Sequence, residues 1–240
     1  DSYFITTGPG LKAPVYVKDS GVTPSDNDYL VAIGTSGSDN GTSNETTVTI
    51  NGAVVYTFAD YQPQEDGYSD LDNDPGLEGV DIDLMEGDDV FTISDAPNTI
   101  AFRVSGNDGN DTLNINAVST TLTAGLTRDI DFWGGDGNDT FNIRGVSGSG
   151  MLTEKRLTGF SPVAVRIHEY ETLNLYFEPS NDTLDLNVDS TVTSARFNIY
   201  GGDGDDTFQA HKVVPNNTYI YGDGGNDSTY AYPNSGYFVV

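Results

Sequence analysis

The chain has 240 residues, of which 37 are Asp or Glu and 10 are Lys or Arg, giving a formal net charge of -27. So few basic residues exclude nucleic acid as a partner, because proteins release the counterions of the phosphate backbone with Lys and Arg. The absence of Cys excludes disulfides and thiolate metal sites. The sequence contains no run of about 18 apolar residues, so it predicts no membrane-spanning helix. Because so many carboxylates repel one another in a compact chain, the composition points to divalent cations.

Residues 1–79 are interpreted as an N-terminal capping coil with a β-hairpin and an acidic loop. Asn51-Gly52 lies between two strand-like runs in TTVTINGAVVYTF (46–58) and is a strong signal for a type I′ hairpin. Before it, SDNDYLVAI (25–33) resembles a degenerate turn motif with Asp28 as its anchor and Leu30 and Ala32 pointing inward. The acidic stretch 60–79 is either a solvated loop or one more cation site.

Residues 80–240 contain six similar segments, each built around an aspartate that we call the anchor. The anchors are separated by 21 to 28 residues, apart from one interval of 43. They are Asp89, Asp111, Asp139, Asp182, Asp206 and Asp227. Such spacing is typical of a repeat of about 20–30 residues per coil with variable insertions.

Apolar residues keep fixed offsets from these anchors. Seven residues before them stand Ile82, Val104, Phe132, Leu175, Ile199 and Ile220, and nine before stand Val80, Phe102, Ile130, Leu173, Phe197 and Thr218. Two residues after them stand Phe91, Leu113, Phe141, Leu184, Phe208 and Thr229, and four after stand Ile93, Ile115, Ile143, Leu186, Ala210 and Ala231. This alternation predicts strands buried on one face. The sequence therefore predicts an all-β, right-handed parallel β-solenoid with an N-terminal hairpin cap.

The interval of 43 residues leaves two interpretations of 145–169. It contains either a coil without the motif, using Val163, Val165 and Ile167, or an excursion through 145–162.

The turns WGGDGNDTFN (133–142) and YGGDGDDTFQ (200–209) fit G-G-x-G-x-D-x-U-x, where U is large and apolar. They resemble the calcium-binding nonapeptide of the repeats-in-toxin (haemolysin-type) family. The copies at 105–114 and 221–230 are nearly complete, and those at 84–92 and 177–185 are degenerate. Glycines permit positive φ, and carbonyl and carboxylate oxygens are the hard ligands that calcium takes.

The resemblance implies that each ion lies between two stacked turns. With one motif per coil, we expect up to about five ions in a single row along one edge. The predicted metal-site residues are Gly87, Asp89, Gly106, Asp108, Gly109, Asp111, Gly134, Asp136, Gly137, Asp139, Asp182, Gly201, Asp203, Gly204, Asp206, Gly222, Gly224 and Asp227. The competing interpretation is that Asp, Asn and Gly are simply common in turns and need no metal. Pairs that involve 177–182 are doubtful, because that turn has lost its glycines.

Six residues before four successive anchors stand aromatic side chains: Trp133, Tyr176, Tyr200 and Tyr221. They form either a sugar-binding stripe or a stacking ladder that rigidifies the repeats, and we favour the ladder.

We expect a non-catalytic structural or adhesive protein of the extracellular space or cell surface, with calcium as its cofactor. Self-association, neighbouring repeats and an extracellular polysaccharide are its further candidate partners. The alternative is a carbohydrate-active β-helix enzyme, either a polysaccharide lyase or a uronate epimerase. Such chemistry needs a base and charge neutralisation. The basic residues available for it are Lys155, Arg156, Arg166 and His168, the last beside Glu169, with His211-Lys212 elsewhere. We interpret both histidine pairs as strand decoration.

Overall fold

The computed structural model describes residues 2–8, 29–44, 47–57, 79–94, 101–116, 130–160, 165–189, 195–212, 214–215 and 217–231. These residues form twenty strands and no helix, so no helix among them is suited to crossing a bilayer. The strands are β1 (Ser2–Thr6), β2 (Tyr29–Ile33), β3 (Asn40–Ser43), β4 (Thr47–Ile50), β5 (Ala53–Thr57), β6 (Gly79–Asp83), β7 (Val90–Ile93), β8 (Ala101–Asp108), β9 (Thr112–Asn116), β10 (Ile130–Asp136), β11 (Thr140–Val146), β12 (Ser149–Leu152), β13 (Arg156–Thr158), β14 (Val165–His168), β15 (Thr172–Phe177), β16 (Thr183–Leu186), β17 (Arg196–Tyr200), β18 (Thr207–Ala210), β19 (Thr218–Tyr221) and β20 (Ser228–Tyr230).

The strands form two sheets that are mostly parallel. Sheet A has the order β1-β2-β6-β8-β10-β14-β13-β12-β16-β18-β20, and sheet B has the order β19-β17-β15-β11-β9-β7-β3-β4-β5. Antiparallel pairing is confined to β3-β4-β5 and to β12-β13-β14. The predicted all-β class is therefore confirmed for the described residues.

The apolar columns form the core. In sheet A, Val80 pairs with Phe102 and Phe102 with Ile130, all nine residues before their anchors. In sheet B, Phe91, Leu113 and Phe141 continue in register to Leu173. Every predicted column member is buried except Thr229 and Ala231 of the last unit. Each fully buried large side chain contributes about 1.5–3 kcal/mol relative to exposure, so these columns dominate the free energy of folding.

The predicted hairpin at Asn51-Gly52 is confirmed. The two residues join β4 to β5, and both have positive φ, 53° and 74°, as a type I′ turn requires. The acidic loop proposed for 60–79 lies outside the described residues, except for Gly79 itself.

The predicted anchor Asp28 lies outside the described residues. Leu30 and Ala32 are buried as expected, but they lie in β2, which pairs with β6 in sheet A and precedes a turn. The anchor of that turn is Asp39, so Leu30 and Ala32 stand nine and seven residues before it, as in the later units.

The interval of 43 residues contains both features that the sequence offered as alternatives. Val165 and Ile167 are buried in β14, which pairs with β10 and carries no motif turn. The excursion exists too, because β12 and β13 form an antiparallel pair in sheet A between β14 and β16. Val163 lies outside the described residues.

The motif turns lie in two rows rather than one, which corrects the prediction of a single row. The first row comprises the turns of Asp39, Asp89, Asp111 and Asp139, each leading from sheet A to sheet B. The second row comprises the turns of Asp182, Asp206 and Asp227, each leading from sheet B to sheet A. Because the strands that flank these turns are parallel within each sheet, the two rows lie at opposite edges. The shift occurs at β15, which follows the short turn 169–171 and leads directly into the Asp182 turn.

Candidate metal site

The anchor carboxylates are joined to their neighbours by a ladder of hydrogen bonds to the backbone. In the first row, the N–H of Asp89 donates to Asp111 Oδ1 (2.9 Å), and that of Asp111 donates to Asp139 Oδ1 (2.8 Å). In the second row, the N–H of Asp182 donates to Asp206 Oδ1 (2.8 Å), and that of Asp206 to Asp227 Oδ1 (3.0 Å). One carboxylate oxygen of each anchor thus binds a backbone donor of the preceding turn, a role that needs no metal.

The other carboxylate oxygen of four anchors has no such role. The Oδ2 atoms of Asp89, Asp111, Asp139 and Asp206 are buried and accept no hydrogen bond from the described residues. These side chains are at most 1% exposed. Because a buried, unpartnered carboxylate oxygen is costly, each of these atoms requires a proton, a cation or a bound water as its partner.

A glycine lies beside three of the four orphaned oxygens, those of Asp111, Asp139 and Asp206, whereas Leu84 holds the corresponding position before Asp89. At Gly201, an added Cβ would lie 2.6 Å from Asp206 Oδ2 and also 2.6 Å from the carbonyl oxygen of Gly222 in the next turn. At Gly106, an added Cβ would collide with Asp111 Oδ2 and lie 2.6 Å from the Gly134 carbonyl oxygen. The absence of a Cβ therefore lets two acceptor oxygens of adjacent turns lie close to the same glycine, and a cation bound between such oxygens would offset their repulsion.

The fourth motif position needs glycine for a different reason. Gly87, Gly109, Gly137, Gly204 and Gly225 have φ between 138° and 154°, a region that L side chains rarely adopt. A Cβ at Gly109, Gly137, Gly204 or Gly225 would collide with the carbonyl oxygen of the preceding turn. Gly225, and not the predicted Gly224, holds this place in the last turn. Tight stacking alone therefore explains these glycines.

The predicted acidic residues at the third motif position do not join the anchors. Asp108, Asp136 and Asp203 are exposed, and Asp108 and Asp136 face each other in the register of β8 and β10. Within the described part of the chain, no group of three or more Asp, Glu, His or Cys side chains is placed to hold a metal. An ion in these turns would therefore depend on backbone carbonyls as well as on the anchors.

Two anchors differ because their own turns satisfy them. Both oxygens of Asp182 lie 3.0 Å from the Ser180 hydroxyl, in the turn that has lost its glycines. Asp39 Oδ2 accepts the Thr35 N–H (2.6 Å), and its Oδ1 accepts the Thr35 hydroxyl (3.0 Å). These two turns are complete without a cation, and Asp182 fits a metal least well of the predicted anchors.

The anchors also have perturbed acidity. Burial raises the pKa of Asp111 to about 6, although the N–H of Asp89 opposes the shift, and neighbouring carboxylates add to it. Burial likewise raises the pKa values of Asp89, Asp139 and Asp206. The fold therefore disfavours the charged anchors when no cation is bound.

Asp39 was missed by the sequence reasoning, although a signal existed. Gly34, Gly37 and Asp39 occupy the first, fourth and sixth motif positions. The apolar eighth residue is missing, because Gly41 stands there and the Phe91 ring occupies the space of its side chain. Glu171 was missed as well, and its Oε2 accepts the Asp139 N–H (2.7 Å), which extends the first ladder.

The aromatic column is divided between the two sheets. Tyr176, Tyr200 and Tyr221 stack on sheet B with centroids 4.7 and 4.9 Å apart, whereas Trp133 lies on sheet A and stacks on His168 at 4.0 Å. Because the tyrosine rings cover one another's faces, this arrangement supports the ladder interpretation over a sugar-binding stripe for them.

Of the basic residues considered for catalysis, Arg156, Arg166 and His168 lie in strands of sheet A, whereas Lys155 precedes β13 and His211-Lys212 follow β18. Arg166 Nε is 3.9 Å from Asp131 Oδ1, and burial lowers the pKa of His168, which stacks on Trp133. His211 Nε2 lies 3.3 Å from Asp185 Oδ1, as expected for strand decoration.

No family model, no curated protein and no solved structure matches this chain.

Proposed function

We propose that this chain is a calcium-binding β-solenoid with a structural or adhesive role outside the cell. The solenoid is supported by the path of the chain. From β6 to β11 each strand lies in the sheet opposite to the one before it, and each pairs in parallel with its neighbours within its own sheet. A right-handed path is the one expected for parallel strands joined across two sheets.

The observation that carries the calcium proposal is the set of orphaned oxygens. The buried Oδ2 atoms of Asp111 and Asp206 each lie near a carbonyl oxygen of the next turn, and the glycine between them permits this close approach. Oxygen atoms from carboxylates and backbone carbonyls are the ligands that calcium prefers. The resemblance to the repeats-in-toxin nonapeptide supports the same ion.

The proposed ions follow the two rows. Asp89, Asp111 and Asp139 hold calcium in the first row, and Asp206 holds it in the second. Asp39 and Asp182 stand at the start of the two rows and bind no calcium, because donors of their own turns, Thr35 and Ser180, satisfy their carboxylates. Bound calcium supplies positive charge that neutralises the buried carboxylates, which couples folding to millimolar extracellular calcium.

The proposal is tested by thermal unfolding of the full chain, followed by circular dichroism, in calcium, in magnesium and in excess chelator. We expect calcium to raise Tm well above its value in chelator, with magnesium less effective because it demands strict octahedral geometry. An unchanged Tm and spectrum in chelator would refute calcium binding.

The non-catalytic part of the proposal has a separate test. We expect no unsaturated product and no epimerisation when the calcium-loaded chain is incubated with uronic-acid polymers. Turnover that is lost in His168→Ala would instead establish the carbohydrate-active enzyme.

A further inference from the structure

Sheet B differs from the rest of this acidic chain in its charge. The chain contains 37 Asp and Glu residues, yet none lies within the nine strands of sheet B. The strands of sheet A, in contrast, contain Asp81, Asp83, Asp131 and Asp185 among others. The only charged side chains in the sheet B strands are Arg144 and Arg196, and both are exposed. The strands of sheet B therefore carry two positive charges and no carboxylate, in contrast to the strands of sheet A.

Each of the two arginines stacks on a tyrosine ring, and among the described residues neither forms an ion pair with a carboxylate. The Arg144 guanidinium lies 3.9 Å from the centroid of the Tyr176 ring, and that of Arg196 lies 4.7 Å from the centroid of Tyr219. On sheet A, in contrast, Arg103 pairs with Asp81 and Arg166 with Asp131. Because a guanidinium has five N–H donors, stacking on a ring leaves donors available for an anionic ligand.

A column of amides runs along the same face. Asn142 Nδ2 donates to Asn114 Oδ1 (2.9 Å), Asn174 Nδ2 to Asn142 Oδ1 (2.7 Å), and Asn198 Nδ2 to Asn174 Oδ1 (2.6 Å). Each amide nitrogen carries two hydrogens, and the ladder uses one of them. Asn198 is buried at 8% exposure and its Oδ1 accepts the Arg196 Nε–H (3.0 Å), so Asn114, Asn142 and Asn174 are the partly exposed amides that the face presents at the strand spacing.

The dimensions of this face favour an elongated ligand over a second copy of the chain. From β7 to β19, six strands span about 24 Å, and the outward side chains of one strand span about 14 Å. The resulting area is roughly 350 Å², whereas a stable protein interface buries about 800 Å² on each partner. A polymer strand lying along the columns needs no such area.

We propose that the outer face of sheet B binds a uronic-acid polysaccharide. Arg144 and Arg196 pair with its carboxylates, and the asparagine column binds its hydroxyl groups. A uronate fits better than a sulfated glycan, because sulfate groups replace hydroxyls that the amides would bind. This binding goes beyond the calcium proposal and uses the face that points away from the core, so either proposal can fail without the other.

The test uses the calcium-loaded full chain and a galacturonate oligomer too short to gel with calcium, with binding measured by titration calorimetry. We expect binding that weakens as salt rises, no binding of a neutral glucose oligomer, and weaker binding of dextran sulfate. Replacing both arginines by glutamine (Arg144→Gln, Arg196→Gln) should weaken binding about tenfold for each charged hydrogen-bonding group lost.

Arg103→Gln is the matched control, since it removes the same charge from an exposed side chain of sheet A. Circular dichroism verifies that all variants are folded, and sedimentation records self-association. The proposal is overturned by absence of galacturonate binding, by equal binding of the neutral oligomer, by tighter binding of dextran sulfate, or by an equal effect of Arg103→Gln. Self-association that is lost only in the Arg144/Arg196 variant, without galacturonate binding, would identify a second copy as the partner.

Discussion

At the scale of the residue, the anchor aspartates serve two purposes with one carboxylate. Oδ1 of Asp206 accepts the backbone N–H of Asp182, which fixes the preceding turn. Oδ2 of the same side chain is buried without a hydrogen-bond partner among the described residues. The first role is independent of metal, whereas the second is where calcium would act.

Asp206→Asn should therefore change stability in opposite directions with and without calcium. In chelator, an uncharged amide facing the Gly222 carbonyl removes a buried unpartnered acceptor and should stabilise the chain by about 1–3 kcal/mol. In calcium, the same change removes a charged ligand and should lower Tm. Denaturant unfolding in the two conditions measures both effects.

Asp182→Asn is the matched control for that substitution. Its carboxylate already accepts the Ser180 hydroxyl, so we expect no reversal of sign between chelator and calcium. If Asp206→Asn lowers stability equally in both conditions, the orphaned oxygen has no part in metal binding.

The acidity of the anchors predicts how the stability of the metal-free chain depends on pH. Folding raises the pKa of Asp111 from its ordinary value of 3.8 to about 6, so the chain takes up a proton on folding between these pH values. Its contribution to stability is therefore fully present below about pH 4 and lost as the pH rises through about 6. In chelator, we expect a higher Tm at pH 5 than at pH 7.5.

In calcium, this pH dependence should reverse, because protons compete with the ion for the anchors. Asp111→Asn should flatten the dependence in chelator. A Tm in chelator that increases steadily from pH 5 to pH 7.5 would contradict the proposed acidity.

At the scale of the element, the turns are shaped by glycine as much as by aspartate. Gly137 has φ of 154°, and a Cβ there would collide with the Gly109 carbonyl oxygen of the preceding turn. We expect Gly137→Ala to cost about 3 kcal/mol or more in calcium and in chelator alike, because it combines backbone strain with a clash.

Gly148→Ala separates these two causes. Gly148 also has positive φ, 96°, but nothing lies within 4 Å of the position of its missing Cβ. Its substitution should cost only the strain, about 1–2 kcal/mol. Equal losses in the two variants, measured by denaturant unfolding, would show that turn stacking is looser than the structure describes.

At the scale of the whole molecule, the two rows of turns should act independently. Asp111 and Asp139 are hydrogen-bonded neighbours in the first row, whereas Asp206 belongs to the second row at the opposite edge. Effects of substitutions at distant sites add to within about 0.5 kcal/mol, whereas those of contacting residues do not.

A double-mutant cycle with asparagine substitutions tests this arrangement. We expect the effects of Asp111→Asn and Asp206→Asn on the free energy of unfolding in calcium to be additive. The pair Asp111→Asn and Asp139→Asn should be non-additive, since one carboxylate accepts the other's backbone N–H. Strong coupling between Asp111 and Asp206 would contradict the two-row arrangement.

The sequence by itself determined which residues face the core and which turn chemistry recurs. Apolar side chains at fixed offsets from each anchor can be buried together only if the strands pair in register, so the burial of Phe102, Phe141 and Leu173 followed from spacing alone. The column of Leu173 did not, because it pairs with Phe141 in sheet B and not with the column of Phe102 in sheet A. Asn51-Gly52 specified its hairpin for an equally local reason. A type I′ turn needs positive φ at both of its central residues, and few residue pairs other than Asn-Gly adopt it readily.

The edge at which each turn lies was decided by the tertiary structure. An anchor looks the same in sequence whether its turn leads from sheet A to sheet B or back, so the switch at β15 leaves no local signal. The insertion β12-β13 and the short turn before Thr172 move the motif from the turn that leaves sheet A to the turn that leaves sheet B. The anchors therefore form two rows, although their spacing suggested one. Which anchors keep an orphaned oxygen was also decided in three dimensions, because only the folded turn brings Ser180 or Thr35 within hydrogen-bonding distance of its aspartate.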